Sequence, residues 1–454
     1  MRRDESNIEK IIAIPARILQ KGVAIITKKM RVSPRIKKVK RYWYMLGPGL
    51  TTGAADDDPS GIITYSQTGA RFGFQLLWLA AFTFPLMAII QEMCARIGLV
   101  TGRGLAANIR LHFPKPVMYA CTVLLLIANT FNIGADLAAM AEAMKLIFPK
   151  ASFVILILGI TALSLGVQIF LSYAVYASYL KYLSLILFAY ILSALLSNLD
   201  WKAVAIHSLL PTINFDKEQI LLICAILGTT ISPYLFFWQT SQEMEEEILL
   251  GKKTIKQRQP TTNRDIKHMR IDIWSGMFFS NCVMFFIIAV CAGNLFKNGI
   301  TNIETPAQAA EALRPLAGEA SYLLFVIGII GTGLLALPVL AGSSAYALAE
   351  SFGWKNIGLY RKLKTAPGFY GVIMISMLGG LAMNFFNINP IKALIWSAIL
   401  NGLSAPVVLI LIVSLSSNPK VMRDRVNSSF TKWIGYGVIG IMCLSGIAAI
   451  IAMF

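Results

Sequence analysis

Apolar and polar positions follow one another along the chain in long blocks. Apolar runs over 44–67, 74–100, 116–146, 151–170, 173–197, 218–243, 271–295, 320–349, 367–386, 391–415 and 433–454 each reach the roughly 18 residues needed to cross a bilayer as a helix. The pattern predicts an all-α polytopic membrane protein with about 11 transmembrane helices. Polar joints divide it into a basic tail over 1–43, five spans over 44–197, a loop over 198–217, five more spans over 218–415, a loop over 416–432 and a last span over 433–454.

Composition agrees and narrows the class. Of the 454 residues 56% are hydrophobic and 14% charged, whereas soluble domains carry about 25% charged residues. The net charge of +18 raises nucleic-acid binding, but the basic residues fall between apolar runs, where they set orientation instead. Residues 1–43 hold 13 Lys or Arg against 3 acids. They read as a cytoplasmic tail, either disordered or with an amphipathic helix around Ile11 to Ile26 on anionic lipid, and no signal peptide is expected. Further basic residues cluster at Arg103, Arg110 and Lys115; at Lys252 through Arg270; at Lys355, Arg361, Lys362 and Lys364; and at Lys420, Arg423 and Arg425. These are alternate loops, whereas 198–217 and 296–319 are mixed or acidic. The N-terminus is therefore expected inside and the C-terminus outside. The six cysteines lie in or beside apolar runs without a Cys-x-x-Cys pair, so they imply neither a disulfide nor structural zinc.

Two spans are interrupted. In the first, Asp56-Asp57-Asp58-Pro59-Ser60-Gly61 sits inside an apolar segment. An acidic side chain near the bilayer centre costs on the order of 2.5 to 3.5 kcal/mol, so three in a row require a water-filled cavity, a cation or protonation. Pro59 and Gly61 predict a helix break that frees carbonyl oxygens beside the aspartates, a donor set suited to a hard cation. Five spans later, Leu227-Gly228-Thr229-Thr230-Ile231-Ser232-Pro233-Tyr234 interrupts the sixth span. Two sets of five helices, each opening on a broken one and facing opposite ways, predict an inverted-repeat transporter with its substrate between the breaks.

These residues resemble the Nramp family of divalent-metal transporters over about Tyr44 to Val413. Gly47-Pro-Gly with Asp58-Pro59-Ser60-Gly61 is similar to the family's Asp-Pro-Gly-Asn break. Leu76-Leu77-Trp78 through Cys94-Ala-Arg96 to Gly102 resembles its second helix, Asn132-Ile-Gly-Ala-Asp136 its third, and Leu340-Ala-Gly-Ser-Ser-Ala-Tyr346 its eighth. The resemblance implies a leucine-transporter-like 5+5 fold with broken helices 1 and 6. It also implies a metal site made of the break aspartate, the break asparagine, a helix-six carbonyl and the thioether of a Met-Pro-His motif. Here Asp58 keeps the carboxylate, Gly61 stands for the asparagine, Thr229 is at the carbonyl position, and Ser232 and Tyr234 stand for the methionine and histidine. Without the thioether, an oxygen-rich, roomier site favours a partly hydrated hard ion. The chain thus resembles the Nramp-related magnesium transporter branch.

The expected metal ligands are Asp58, Gly61, Thr229, Ser232 and Asp57, with Pro59 and Pro233 as the breaks. Three successive helical residues turn by about 100° each, so the aspartates are not all expected to face one ion. Asp56, Tyr234, Asn401 and Asp136 are assigned to the surroundings or access path. Thr229 and Ser232 also have a plainer reading, as hydroxyls that satisfy freed backbone groups, and Asn401 as a helix–helix hydrogen bond. Glu92 and Arg96, four apart, are expected to pair. Glu142 is out of register with the family's second acidic position, which is Ala139 here, and the three histidines are expected in loops. The expectation is Mg2+ transport, with Mn2+ also carried, by alternating access with weak or absent proton coupling. A proton-coupled Mn2+/Fe2+ transporter is the alternative. An amino-acid transporter on the same fold and an ion channel are rivals, and no enzyme motif is present. The divalent metal is substrate rather than cofactor. The bilayer, in a prokaryotic plasma (inner) membrane, is the other partner; neither nucleic acid nor an obligate protein partner is implied.

The alternation of basic loops generates a test of sidedness. Cysteines introduced after Phe454 and near Lys253 should label from opposite sides of the membrane, and labelling of both from one side contradicts the span count.

Overall fold

The computed structural model describes residues 46–170, 187–386 and 389–453. The expected tail over 1–43, including any helix around Ile11 to Ile26, lies outside the described residues. The first span is two helices, α1 (Pro48–Asp56) and α2 (Pro59–Phe72). There follow α3 (Trp78–Thr101), α4 (Lys115–Ile147), α5 (Phe153–Phe170) and α6 (Phe188–Leu196), the last being the described end of the fifth span. The sixth span is again two helices, α7 (Lys217–Thr230) and α8 (Pro233–Leu249). The rest are α9 (Asn263–Asn294), α10 (Ser321–Ser351), α11 (Pro367–Met383), α12 (Pro390–Ser416) and α13 (Ser429–Met453). Among the described residues nine spans are long and apolar enough to cross a membrane. The first expected span is not one of them: the sixth counts across its break, but every 18-residue stretch of 48–72 carries Asp56, Asp57 and Asp58.

Local chemistry places both breaks. Pro59 lacks an amide donor and biases its predecessor away from helical geometry; Asp58 is accordingly extended, at φ −67° and ψ 171°. Ser232, before Pro233, is likewise extended at φ −83° and ψ 131°. The exposed start of α1 needs acceptors for its free amides, and Asp272 of α9 supplies them. Its carboxylate accepts from Gly47 N at 2.8 Å, Gly49 N at 2.7 Å and Leu50 N at 3.2 Å.

Both halves of the first span pack along α9, and α4 packs against α10, α11 and α12. The α1–α9 contact is close enough that a Cβ on Gly53 runs into the Gly276 carbonyl. Small residues permit this approach in a setting where packing, rather than water exclusion, drives helix association.

The structure revises several expectations. Helix α9 begins eight residues before the apolar run over 271–295, because Thr262 and Asp265 form a capping box ahead of a polar first turn. His268 therefore lies on a helix, and His112 and His207 lie on the short helices Leu105–His112 and Trp201–Leu209. The loop over 198–217 thus contains a helical segment. Glu92 pairs with Arg270 at 2.7 Å and accepts from Trp274 Nε1 at 2.9 Å, whereas Arg96 bonds Asn427. The i,i+4 pairing fails because α9 brings a cation and an indole donor to the same carboxylate.

Candidate metal site

Asp58 stands where the two broken spans meet. Its carboxylate caps α2 by accepting from Gly61 N at 2.7 Å, the ordinary role of aspartate at a helix start. The other oxygen accepts from Asn132 Nδ2 at 3.0 Å and faces the Tyr234 hydroxyl at 3.4 Å. Tyr234 also reaches the Ala55 carbonyl at 3.3 Å, tying α8 to the end of α1. The Asn132 amide oxygen accepts from Ser397 Oγ at 2.7 Å, and Ser397 lies 3.2 Å from Ser60 Oγ. A polar chain thus runs from α2 through α4 to α12 and fixes the Asp58 carboxylate from behind.

The neighbouring aspartates point elsewhere. Asp56 accepts from Ser280 Oγ of α9 at 2.6 Å, with Asp57 3.4 Å from the same hydroxyl. One oxygen of each has no hydrogen-bond partner, although all three aspartates are buried. Asp136, one turn beyond Asn132 on α4, is fully buried. The Ser60 amide faces it without closing a bond of ordinary geometry on either oxygen. Among the described residues no three His, Cys, Asp or Glu side chains form a metal-holding group.

Thr229 faces the position where a side chain at 61 would begin. A Cβ on Gly61 would lie 3.2 Å from Thr229 Oγ1 and 3.1 Å from the Asp56 carbonyl. The absence of a side chain at 61 thus lets a hydroxyl of α7 and a freed carbonyl of α1 approach each other. Ser232 Oγ lies 2.6 Å from the Gly228 carbonyl and 2.8 Å from that of Thr229, so its proton serves carbonyls left open by the break. Asn401 is buried with its amide oxygen unpartnered, and no hydrogen bond joins it to the Asp58 chain among the described residues. Glu142 pairs with Lys145 at 3.4 Å near the end of α4, away from the break.

Sequence reasoning missed Asn132, Ser397 and Ser280 as parts of the site. For Asn132 the signal existed: four residues before Asp136 on a helix, it shares that residue's face. Single serines in apolar spans carry no comparable signal.

The chain matches the profile described as natural resistance-associated macrophage protein-like over residues 49–452. It is 26% identical over 412 residues to the divalent metal cation transporter MntH of Klebsiella pneumoniae subsp. pneumoniae, covering 88% of this chain and 91% of that one. A crystal structure of the Eremococcus coleocola manganese transporter superposes with a TM-score of 0.70 at 16% identity, covering 93% of this chain and 89% of that one. Mhp1, a nucleobase-cation-symport-1 family transporter in a closed conformation, superposes with a TM-score of 0.56 at 14% identity over 90% of each chain. The fold is leucine-transporter-like, as the two equivalently placed breaks lead one to expect.

The geometry predicts how this site responds to substitution. Asn132→Ala removes a donor from a buried carboxylate and should lower stability by about 1–3 kcal/mol, read as a fall in Tm. Ser397→Ala, which strips only the outer link, should lower Tm less. An equal or reversed order contradicts the chain of bonds described.

Proposed function

The chain belongs to the Nramp family, whose members are transporters rather than enzymes, and from that premise we propose that Mn2+ is the divalent cation it carries. The observation that carries the reading is the convergence on the first break of the Asp58 carboxylate, the Asp56 carbonyl and the Thr229 and Tyr234 hydroxyls. Carboxylate, carbonyl and hydroxyl oxygens suit Mn2+ and Mg2+ alike. The similar Eremococcus coleocola manganese transporter supports Mn2+ over the Mg2+ assignment drawn from the sequence, and the MntH relatives support a divalent metal cation.

Mg2+ stands as a second reading on a specific observation, the absence of any thioether or imidazole side chain at 61, 229, 232 and 234. A site of hard oxygens that leaves room for bound water discriminates weakly between the two ions. Asp57 and Ser232 complete the proposed ligand set through water or carbonyl contacts, with Asp56, Asp136 and Asn401 along the access path. The protein would sit in a prokaryotic plasma (inner) membrane with its N-terminus cytoplasmic and its C-terminus external.

Alternating access follows from how the two halves of the first span are held. The inner half, α1, is latched by Asp272 and by Thr52, whose hydroxyl bonds Gln239 Oε1 at 2.5 Å. The outer half, α2, is latched by Gln67, which bonds Asn302 at 2.9 Å and accepts from Ile303 N at 2.8 Å. Release of one latch while the other holds opens the break to one side only. Weak proton coupling is supported by Tyr234 in place of the family's histidine and Ala139 in place of its second acid.

Uptake into proteoliposomes with an internal pH dye tests these points together. Saturable Mn2+ uptake, inhibited by Mg2+, with little acidification is expected. Ser232→Met should weaken Mg2+ inhibition by roughly tenfold, within the range for losing one charged contact. Absence of Mn2+ and Mg2+ uptake removes the assignment, and stoichiometric acidification makes Asp136 the coupling group.

A further inference from the structure

A second polar site lies far along the chain from the breaks, at the ends of α3 and α12 that carry the basic loops. There a cavity of about 190 Å3 is lined by Thr101, Arg103, His112, Gln259, Lys420 and Arg423. No carboxylate lines it. Its volume corresponds to roughly six waters at about 30 Å3 each. We propose that this cavity binds a phosphate-bearing anion, supplied either as the head group of an anionic phospholipid or as a free phosphate.

Three observations carry the assignment. First, the lining cations are not neutralised: among the described residues Arg103, Lys420 and Arg423 make no ion pair, and the nearby Asp424 pairs with Arg425 at 3.4 Å. Arg423 is instead oriented by a neutral acceptor, its Nη2 lying 3.1 Å from Gln259 Oε1. Next to Gln259 the buried Arg258 donates to the carbonyls of Gly102, Lys252 and Lys253 at 3.0, 3.2 and 3.1 Å, which anchors this segment against the end of α3. Convergent guanidinium and ammonium groups without acids form a fork suited to phosphate oxygens.

Second, Arg423 holds a backbone conformation that side chains seldom adopt, with φ 53° and ψ −121°. Such strain persists where the surroundings over-determine a position, and it gathers at ligand clamps. Third, α13 starts at Ser429, six residues after Arg423, and its first turns expose Phe430, Trp433 and Tyr436. The Trp433 and Tyr436 rings contact each other at 6.3 Å, and Lys432 Nζ lies 6.0 Å from the Tyr436 centroid. Aromatic side chains of this kind settle at the head-group level, which places the neighbouring residues 420–425 at the same depth. Basic pockets between helices at that depth suit anionic head groups.

The experiment uses the full chain in detergent and reads Tm against added inorganic phosphate, short-chain phosphatidylglycerol and short-chain phosphatidylcholine, with chloride at matched ionic strength. Phosphatidylglycerol or phosphate should raise Tm by a few degrees, and phosphatidylcholine and chloride should not. A response to phosphatidylglycerol well below the concentration needed for phosphate identifies the lipid as the source. Matching midpoints identify a soluble phosphate.

Arg423→Gly separates binding from folding. Glycine accepts the positive φ, so without ligand its Tm should equal or exceed that of the wild type, while the midpoint for the anion should rise about tenfold or more for the loss of one charged hydrogen bond. The pair Arg103→Gln with Lys420→Gln should shift the midpoint in the same direction. No stabilisation by either anion, an equal effect of phosphatidylcholine, or an unchanged midpoint in Arg423→Gly each overturns the proposal.

Discussion

Inside a bilayer every backbone amide and carbonyl needs a partner from the protein, and the two helix breaks are where this chain departs from the simplest solution. The rest of the site follows from how the breaks are repaired. Asp58 satisfies the start of α2 through Gly61 N, Ser232 returns its hydroxyl to the open carbonyls of α7, and Asp272 gathers the first amides of α1. The same repairs concentrate oxygen atoms at the midpoint of the bundle. In the proposed site, capping and cation binding share one carboxylate, since the cap uses one Asp58 oxygen on backbone and leaves the other facing Asn132 and Tyr234.

Three adjacent carboxylates do not act as one cage. The last residue of α1, Asp56, and Asp57 just beyond it turn towards Ser280 of α9, while the break turns Asp58 towards α4 and α8. Asp136 sits one turn from Asn132 with no strong donor of its own. Carboxylate groups are thus spread along the first break rather than focused on one point, and a cation moving along α1 and α2 would meet carboxylate oxygen at successive positions. This graded arrangement suits transport, where an ion has to be bound firmly enough to be selected and loosely enough to be released.

Much of this was legible in the chain because the signals are local. Proline and glycine beside aspartate inside an apolar run announce a break, and both breaks occur where Pro59 and Pro233 place them. Nine of the eleven expected spans follow from run length among the described residues. What escaped the sequence was tertiary. Glu92 looked like the partner of Arg96, but Arg270 and Trp274 reach it from another helix. Ser280 and Ser397 look like any small polar residue in a span until α9 and α12 bring them against the break. The polar first two turns of α9, with Arg264, Lys267 and Arg270, hid a helical start that only its capping box reveals. The Mg2+ assignment rested on Gly61 and Ser232 standing where the resembled family has asparagine and methionine, and an all-oxygen donor set by itself suits Mg2+ and Mn2+ alike.

The proposed site has the Asp58 carboxylate holding the transported metal directly, while the carboxylates of Asp56 and Asp57 do not. Calorimetric titration of Mn2+ into purified protein tests it most directly, comparing wild type with Asp58→Asn and with Ser280→Ala, which disturbs only the neighbours of Asp58. Asp58→Asn should abolish measurable binding, and Ser280→Ala should retain it within a few-fold. Wild-type affinity in Asp58→Asn, or loss of binding in Ser280→Ala alone, would place the metal elsewhere on the break.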